Sequence, residues 1–238
     1  MTESRMSTAR LFGVGVGPGD PELLTLKAVR VIAEADVIFA PVRRAGGRSL
    51  SLELARAHID AGRQQVVVLP FPDARGDAAW DGVARQIAET LGADRRGVFL
   101  TEGDPLLFGS FGHVMTALRA IAPGIAVEVV PGVSSITAAA AAAGIPLTDY
   151  EDRLAVVPAT ADPTEIEGAL LDFECVVLLK VGSVLGERLA LLERLGRLDH
   201  VVYVRRCGWP DQQVVHDVRA LVDNPPSDYF ALLIVRQN

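Results

Sequence analysis

The chain has 238 residues, 50% hydrophobic and 22% charged. That composition supports a packed core in one large or two small domains and excludes a disordered chain. Its net charge is −7, from 23 cations and 30 anions, and an acidic chain lacks the basic face that supplies non-specific affinity for nucleic acid.

No apolar run reaches the ~20 residues of a bilayer span. The opening MTESRMSTAR lacks the apolar core of a secretory signal. A cytoplasmic protein is expected, with neither nucleic acid nor membrane as partner. Residues 1–10 read as a flexible tail. LFGVGVG follows as a Gly-rich strand. Asp20 then stands before Pro21, the arrangement of a helix cap with proline in the first turn. Leu24, Ala28, Val31 or Ile32, and Ala35 recur at helical spacing, opposite a polar stripe of Lys27, Arg30 and Glu34. VIFAP is the second strand. SLELARAHIDAG reads as a helix, QVVVLP as a strand, DAAWDGVARQIAETLG as a helix, and VFLTEGDP as a strand ending in a turn. SFGHVMTALRAIAPG is a helix closed by Pro-Gly, and IAVEVV a strand.

After PGVSS comes the Ala-rich helix ITAAAAAAG. LAVVPAT, CVVLLKVG, HVVYVRRCG, QQVVHDV and YFALLIVRQ then read as strands, with helices at PTEIEGALL and SVLGERLALLERLG. Alternating strands and helices predict an α/β chain with mainly parallel or mixed sheets and flanking helices. The expected division is an N-terminal α/β domain over 11–125 and a C-terminal α/β domain over 126–238.

Cys175 and Cys207 lie in or beside apolar runs and read as buried reduced thiols, too few for a disulfide framework or a zinc cluster. His58, His113, His200 and His216 are scattered without ligand spacing, so no protein-bound metal is expected. Gly13, Gly15, Gly17 and Gly19 alternate, but the dinucleotide fingerprint needs glycine at positions one, three and six. Its sixth position falls on Pro18, Asp20 or Glu22, depending on the register. Asp20 would also repel a pyrophosphate. Two further loops, Glu102-Gly103-Asp104-Pro105 and Pro131-Gly132-Val133-Ser134-Ser135, also follow strands. Ligand crevices form at strand C-termini in such sheets, and glycine there admits close approach to the backbone.

The set GVGPGD with LLTLKA, then GDP, then PGVSS resembles the tetrapyrrole methylases, S-adenosylmethionine-dependent enzymes of the cobalamin and sirohaem pathways. GVGVGPGDPELLTLKAVRVI, TEGDPLLFGSF, VVPGVSSITAAAAAAGIPL, DRLAVVPA and LLKVGS are similar to the precorrin-2 C20-methyltransferase branch. The resemblance implies the family's two-domain fold, distinct from the common Rossmann-type methyltransferase, with S-adenosyl-L-methionine as cofactor, a cofactor cleft between the domains, and a homodimer. It implies that Gly103, Asp104, Leu107, Ser134, Ser135, Lys180 and Cys207 line the cofactor pocket, Cys207 through its backbone. In some relatives an acid at the position of Asp20 is assigned a proton-accepting role, against the rival reading of a helix cap. Arg43, Arg44 and Arg48 form a basic loop suited to the carboxylates of precorrin-2, or simply a solvated surface.

The implied reaction moves the sulfonium methyl to C20 of precorrin-2, giving precorrin-3A. The reduced macrocycle is the nucleophile, and the protein's contribution is alignment. Alternatives are another tetrapyrrole such as cobalt-factor II, a same-fold methylase of RNA or of a modified protein histidine, and a non-catalytic small-molecule-binding module.

Overall fold

The computed structural model describes residues 8–44, 46–72 and 77–237. The chain divides into two compact units, the first ending at Ser134 and the second starting at Ser135. Of the expected tail, residues 1–7 lie outside the described residues. The amides of Thr8 and Ala9 both donate to Ala93 O, at 2.8 and 3.1 Å.

The first unit holds β1 (Arg10–Gly15), β2 (Val37–Val42), β3 (Gln65–Pro70), β4 (Arg96–Thr101) and β5 (Ala126–Val130). All pair in parallel, in the order β3-β2-β4-β1-β5. Helices α1 (Leu26–Glu34), α2 (Leu50–Ala55), α3 (Asp81–Leu91) and α4 (Phe111–Ile121) make the connections. β2 is buried at every residue, as a strand covered on both faces must be, whereas edge strand β3 leaves Val66 and Val68 exposed. One face carries Leu11, Phe39 and Phe99 against Ile87, Leu91, Phe111 and Leu118. Gly13 makes that packing possible, since a β-carbon there would fall 2.2 Å from Cε1 of Phe111.

The expected domain limits of 11–125 and 126–238 differ from this division for a physical reason. β5 closes the first sheet through its register with β1, Arg10↔Ala126 to Val14↔Val130. The start of the first helix also differs. Asp20 caps a single 3-10 turn, Pro21–Leu23, accepting from the Glu22 amide at 2.8 Å. Leu24 is extended and turns into the core, and Thr25 caps α1 by accepting from the Ala28 amide at 3.1 Å.

The second unit holds α5 (Ser135–Ala143), β6 (Leu154–Pro158), α6 (Pro163–Asp172), β7 (Cys175–Leu179), α7 (Leu185–Arg194), β8 (Val201–Arg205), β9 (Gln213–Val215) and β10 (Ala231–Arg236). The sheet order is β6-β7-β10-β8-β9. β10 runs antiparallel between β7 and β8, so those two strands point the same way. Leu178, Tyr203 and Leu233 of the sheet pack with Ile166, Leu189 and Leu192 of the helices. Both units are therefore α/β, one parallel and one mixed.

Arg188, only 4% exposed, donates through Nε to Ala159 O at 2.7 Å and through Nη2 to Ala161 O at 3.1 Å. It fastens α7 to the segment after β6. Arg188→Met keeps the stem but strands two carbonyls, and should lower unfolding free energy by roughly 2–4 kcal/mol. Chemical denaturation measures this, and an unchanged midpoint would contradict it.

Candidate functional site

β4, β1 and β5 are neighbours and run parallel, so the loops that follow them emerge side by side. Those loops are Glu102–Pro105, Val16–Asp20 and Pro131–Ser134. They touch through backbone. Gly17 and Gly103 form an antiparallel bridge, with the Gly103 amide donating to Gly17 O at 2.8 Å. Both adopt positive φ, 78° and 67°, a conformation glycine reaches without strain. A β-carbon on Gly15 would lie 2.5 Å from Gly103 O and 2.7 Å from Gly132 Cα. One on Gly132 would lie 2.1 Å from Gly103 O and 2.8 Å from Gly15 Cα.

Asp104 ties this knot. Its Oδ2 accepts from the Gly132 amide at 3.1 Å and its Oδ1 from the Leu106 amide at 2.9 Å. Beyond it, Leu106, Leu107 and Phe108 are exposed, an unusual run of large apolar side chains beside a polar turn. Phe108 takes φ of 54°, which strains an aromatic residue, and strain of this kind clusters at functional sites. The Thr101 hydroxyl at the end of β4 is buried and has no hydrogen-bond partner among the described residues.

Asp20 is partly exposed and holds the turn after the first glycine loop. Arg43, Arg44 and Arg48 are all exposed, in the segment after β2. Arg48 is committed to a two-bond pair with Glu53, Nε–Oε1 2.7 Å and Nη2–Oε2 2.8 Å. Next to this segment lies Glu102, to which sequence reasoning gave no role of its own. Its Oε1 accepts from the buried Ser51 amide at 3.0 Å. Burial pushes the Glu102 carboxyl above the usual carboxylate range, against the opposing pull of Ser51 and of the Arg43 charge.

Ser134 and Ser135 stand at the junction of the two units, Ser135 as the first residue of α5. In the second unit, Lys180 follows β7 at φ 62° with its Nζ 5.9 Å from the Tyr229 ring centroid. The turn after it packs on backbone, because a β-carbon on Gly182 would lie 2.1 Å from Asp228 O. Cys207 follows β8 and is buried, directly after Arg206 at φ 50°. Arg206 donates through Nε to Asp211 Oδ1 at 2.9 Å, and its amide donates to Phe230 O at 2.7 Å. The pairing of Leu232 with Leu179 and of Ala231 with Arg205 puts these two turns on the same edge of the second sheet. Burial raises the thiol of Cys207, and pushes that of Cys175 up to about 11, so neither is a ready thiolate. Among the described residues, no group of three or more His, Cys, Asp or Glu is placed to hold a metal. No helix among them is long and apolar enough to cross a membrane.

The knot and Glu102 each generate a prediction. Gly103→Ala meets a backbone penalty of about 1–2 kcal/mol, while Gly132→Ala forces main chain apart and should cost more. Thermal melting should therefore rank Gly132→Ala below Gly103→Ala. The reverse order would remove the knot from its structural role. For Glu102, a raised folded pKa means that its contribution to stability is full below the unfolded value and is lost as pH rises through the folded one. Glu102→Gln keeps an acceptor for Ser51, so at about pH 8 it should melt higher than the parent. The gap should close as pH falls toward ~4. A variant that melts lower than the parent at every pH would contradict this.

Comparison with known proteins places this geometry. Residues 10–221 match the family described as Tetrapyrrole (Corrin/Porphyrin) Methylases. The chain is 34% identical over 250 residues to a precorrin-2 C(20)-methyltransferase of Sinorhizobium sp, covering 98% of this chain and 97% of the relative. It is 32% identical over 232 residues to a cobalt-precorrin-2 C(20)-methyltransferase of Salmonella typhimurium, covering 96% of each. Among solved structures it is similar to the uroporphyrin-III C-methyl transferase of Thermus thermophilus complexed with S-adenyl homocysteine. That match has a TM-score of 0.68 at 26% identity, covering 96% of this chain and 98% of that one. With the family pattern matched over most of its length and both sheets in place, the chain belongs to the tetrapyrrole methylase family.

Proposed function

We propose that this chain uses S-adenosylmethionine to methylate precorrin-2 at C20, giving precorrin-3A for corrin-ring synthesis. The observation that carries the reading is the convergence of the three motif loops at the ends of β4, β1 and β5, in a chain whose full-length relatives include a precorrin-2 C(20)-methyltransferase. The residues present suit the cofactor. Exposed Leu106, Leu107 and Phe108 offer apolar contact, and the unpartnered Thr101 hydroxyl marks unused polar capacity beside them. Bound S-adenosylmethionine supplies a methyl group on a sulfonium centre. Gly103, Asp104, Leu107 and Ser134 are the proposed cofactor contacts of the first unit. Ser135, Lys180 and Cys207 are those of the second, Cys207 through its backbone.

The chain's own work is alignment and the handling of one proton, with no side-chain nucleophile. Asp20 is the proposed proton acceptor, and the arginine loop the proposed recogniser of substrate carboxylates. A homodimer and a cytoplasmic location complete the proposal. Light scattering tests the first and cell fractionation the second.

A second reading, that the macrocycle already holds cobalt, is favoured by the similarity to the Salmonella typhimurium cobalt-precorrin-2 C(20)-methyltransferase. The test incubates the protein with labelled S-adenosylmethionine and either precorrin-2 or cobalt-precorrin-2, followed by mass and NMR assignment of the product. One methyl at C20 of precorrin-2 is expected. A methyl on another carbon would remove the C20 assignment, and turnover of the cobalt form alone would select the second reading. In the same assay Asp20→Asn should depress single-turnover rates far more than cofactor affinity, since Asn caps the Pro21–Leu23 turn about as well as Asp. Unchanged rates would leave Asp20 as a cap.

A further inference from the structure

We propose that Asp228 is a positioning residue for the cofactor, its carboxylate shaping the short segment that holds the two turns of the second unit assigned to S-adenosylmethionine. This deepens the proposed cofactor contacts at Lys180 and Cys207 and rests on them. The turns after β7 and β8 leave the same edge of the second sheet, on either side of β10. Asp228, Tyr229 and Phe230 lead into β10 and touch both turns. On one side the Asp228 main chain lies over Gly182, where a β-carbon would fall 2.1 Å from Asp228 O and 2.5 Å from its carbonyl carbon. On the other, Phe230 O accepts from the Arg206 amide at 2.7 Å, one residue before Cys207.

The carboxylate fixes this bridge from within. Oδ1 accepts from the Phe230 amide at 2.8 Å, closing a turn of the Asx kind over Tyr229. Oδ2 lies 3.8 Å from Arg206 Nη1, and the Asp228 side chain is 17% exposed. Arg206 meets Asp211 more closely, at 2.9 Å from Nε, so the main duty of Asp228 is the amide and not the ion pair. Lys180 and Arg206 stand at φ of 62° and 50°, conformations that persist only where neighbours enforce them. Turns held in shape before a ligand arrives lose less freedom on binding. Asp104 serves the first unit in the same way, through the Leu106 and Gly132 amides.

The test titrates the full-length parent, Asp228→Ala and Asp228→Asn with S-adenosylhomocysteine by calorimetry, alongside melting of each protein without ligand. Asp228→Ala should raise the Kd roughly three- to tenfold, the scale of one lost hydrogen bond. Asp228→Asn keeps an acceptor for the Phe230 amide and should stay within about twofold of the parent. At saturating S-adenosylmethionine the KM for precorrin-2 should not move in either variant. Hydrogen exchange supplies the second measurement. In the parent, S-adenosylhomocysteine should slow exchange of the amides at 181–183 and 207–208, and in Asp228→Ala those amides should exchange faster before ligand is added. An unchanged Kd in Asp228→Ala, whether or not it melts lower, would overturn the inference and leave Asp228 a structural turn residue. An equal loss in the alanine and asparagine variants would overturn it too. If the parent binds S-adenosylhomocysteine with no protection at these amides, the cofactor contacts of the second unit fall, and the inference with them.

Discussion

Gly15, Gly103 and Gly132 belong to three segments widely separated in sequence, and they meet so closely that a β-carbon on Gly15 or Gly132 would strike the main chain of the others. The parallel sheet brings them there by placing β4, β1 and β5 side by side, so that three chain segments leave the same edge together. Backbones in such close contact cannot rely on water, and their polar groups must find partners among themselves. They do: Gly103 donates to Gly17 O, and Gly132 to Asp104. The consequence is a stiff floor built from main chain. The side chains of Leu106, Leu107 and Phe108 are left facing outward beside it.

This constraint explains what could and could not be read from residue order. The alternation of Gly13 to Gly19 was visible, and its spacing ruled out the dinucleotide fingerprint. Hidden were the separate reasons for each glycine: an aromatic ring over Gly13, foreign backbone against Gly15, a positive φ at Gly17. β3 was legible to the residue, because QVVVLP is an apolar run bounded by polar residues and proline. The end of the first unit was not, since the pairing of β5 with β1 joins residues far apart and leaves no local pattern. Asp20 was legible as a cap, but a proline-led turn and a true helix start look alike until Leu24 is seen to extend into the core. Glu102 read as part of a turn. Its distinctive character comes from Ser51, 51 residues away, and from burial.

Three acids near the same sheet edge illustrate how environment divides labour. Asp104 has both oxygens bound to amides and acts as a clasp between loops. Asp20 is partly exposed and satisfies one amide of a short turn. Glu102 is the acid whose proton affinity is raised, by burial. Residue type alone predicts the same chemistry for all three, and only their partners separate them.

The second unit follows the same logic with different residues. Lys180 and Arg206 stand at positive φ immediately after the two strands that flank β10, positions where glycine would be unstrained. Each keeps a long cationic side chain instead, and each is held by an aromatic or acidic neighbour, Tyr229 for Lys180 and Trp209 and Asp211 for Arg206. Backbone strain of this order, about 1–3 kcal/mol per residue, persists only where the surrounding structure enforces it. Here the enforcement is visible in the Gly182–Asp228 contact and in the bond from the Arg206 amide to Phe230. The thiol beside the second of these turns, that of Cys207, is held protonated by burial. Chemistry that proceeds by positioning a ready electrophile needs no reactive side chain. It needs turns that do not yield, and in both units tight backbone contact at the strand ends provides them.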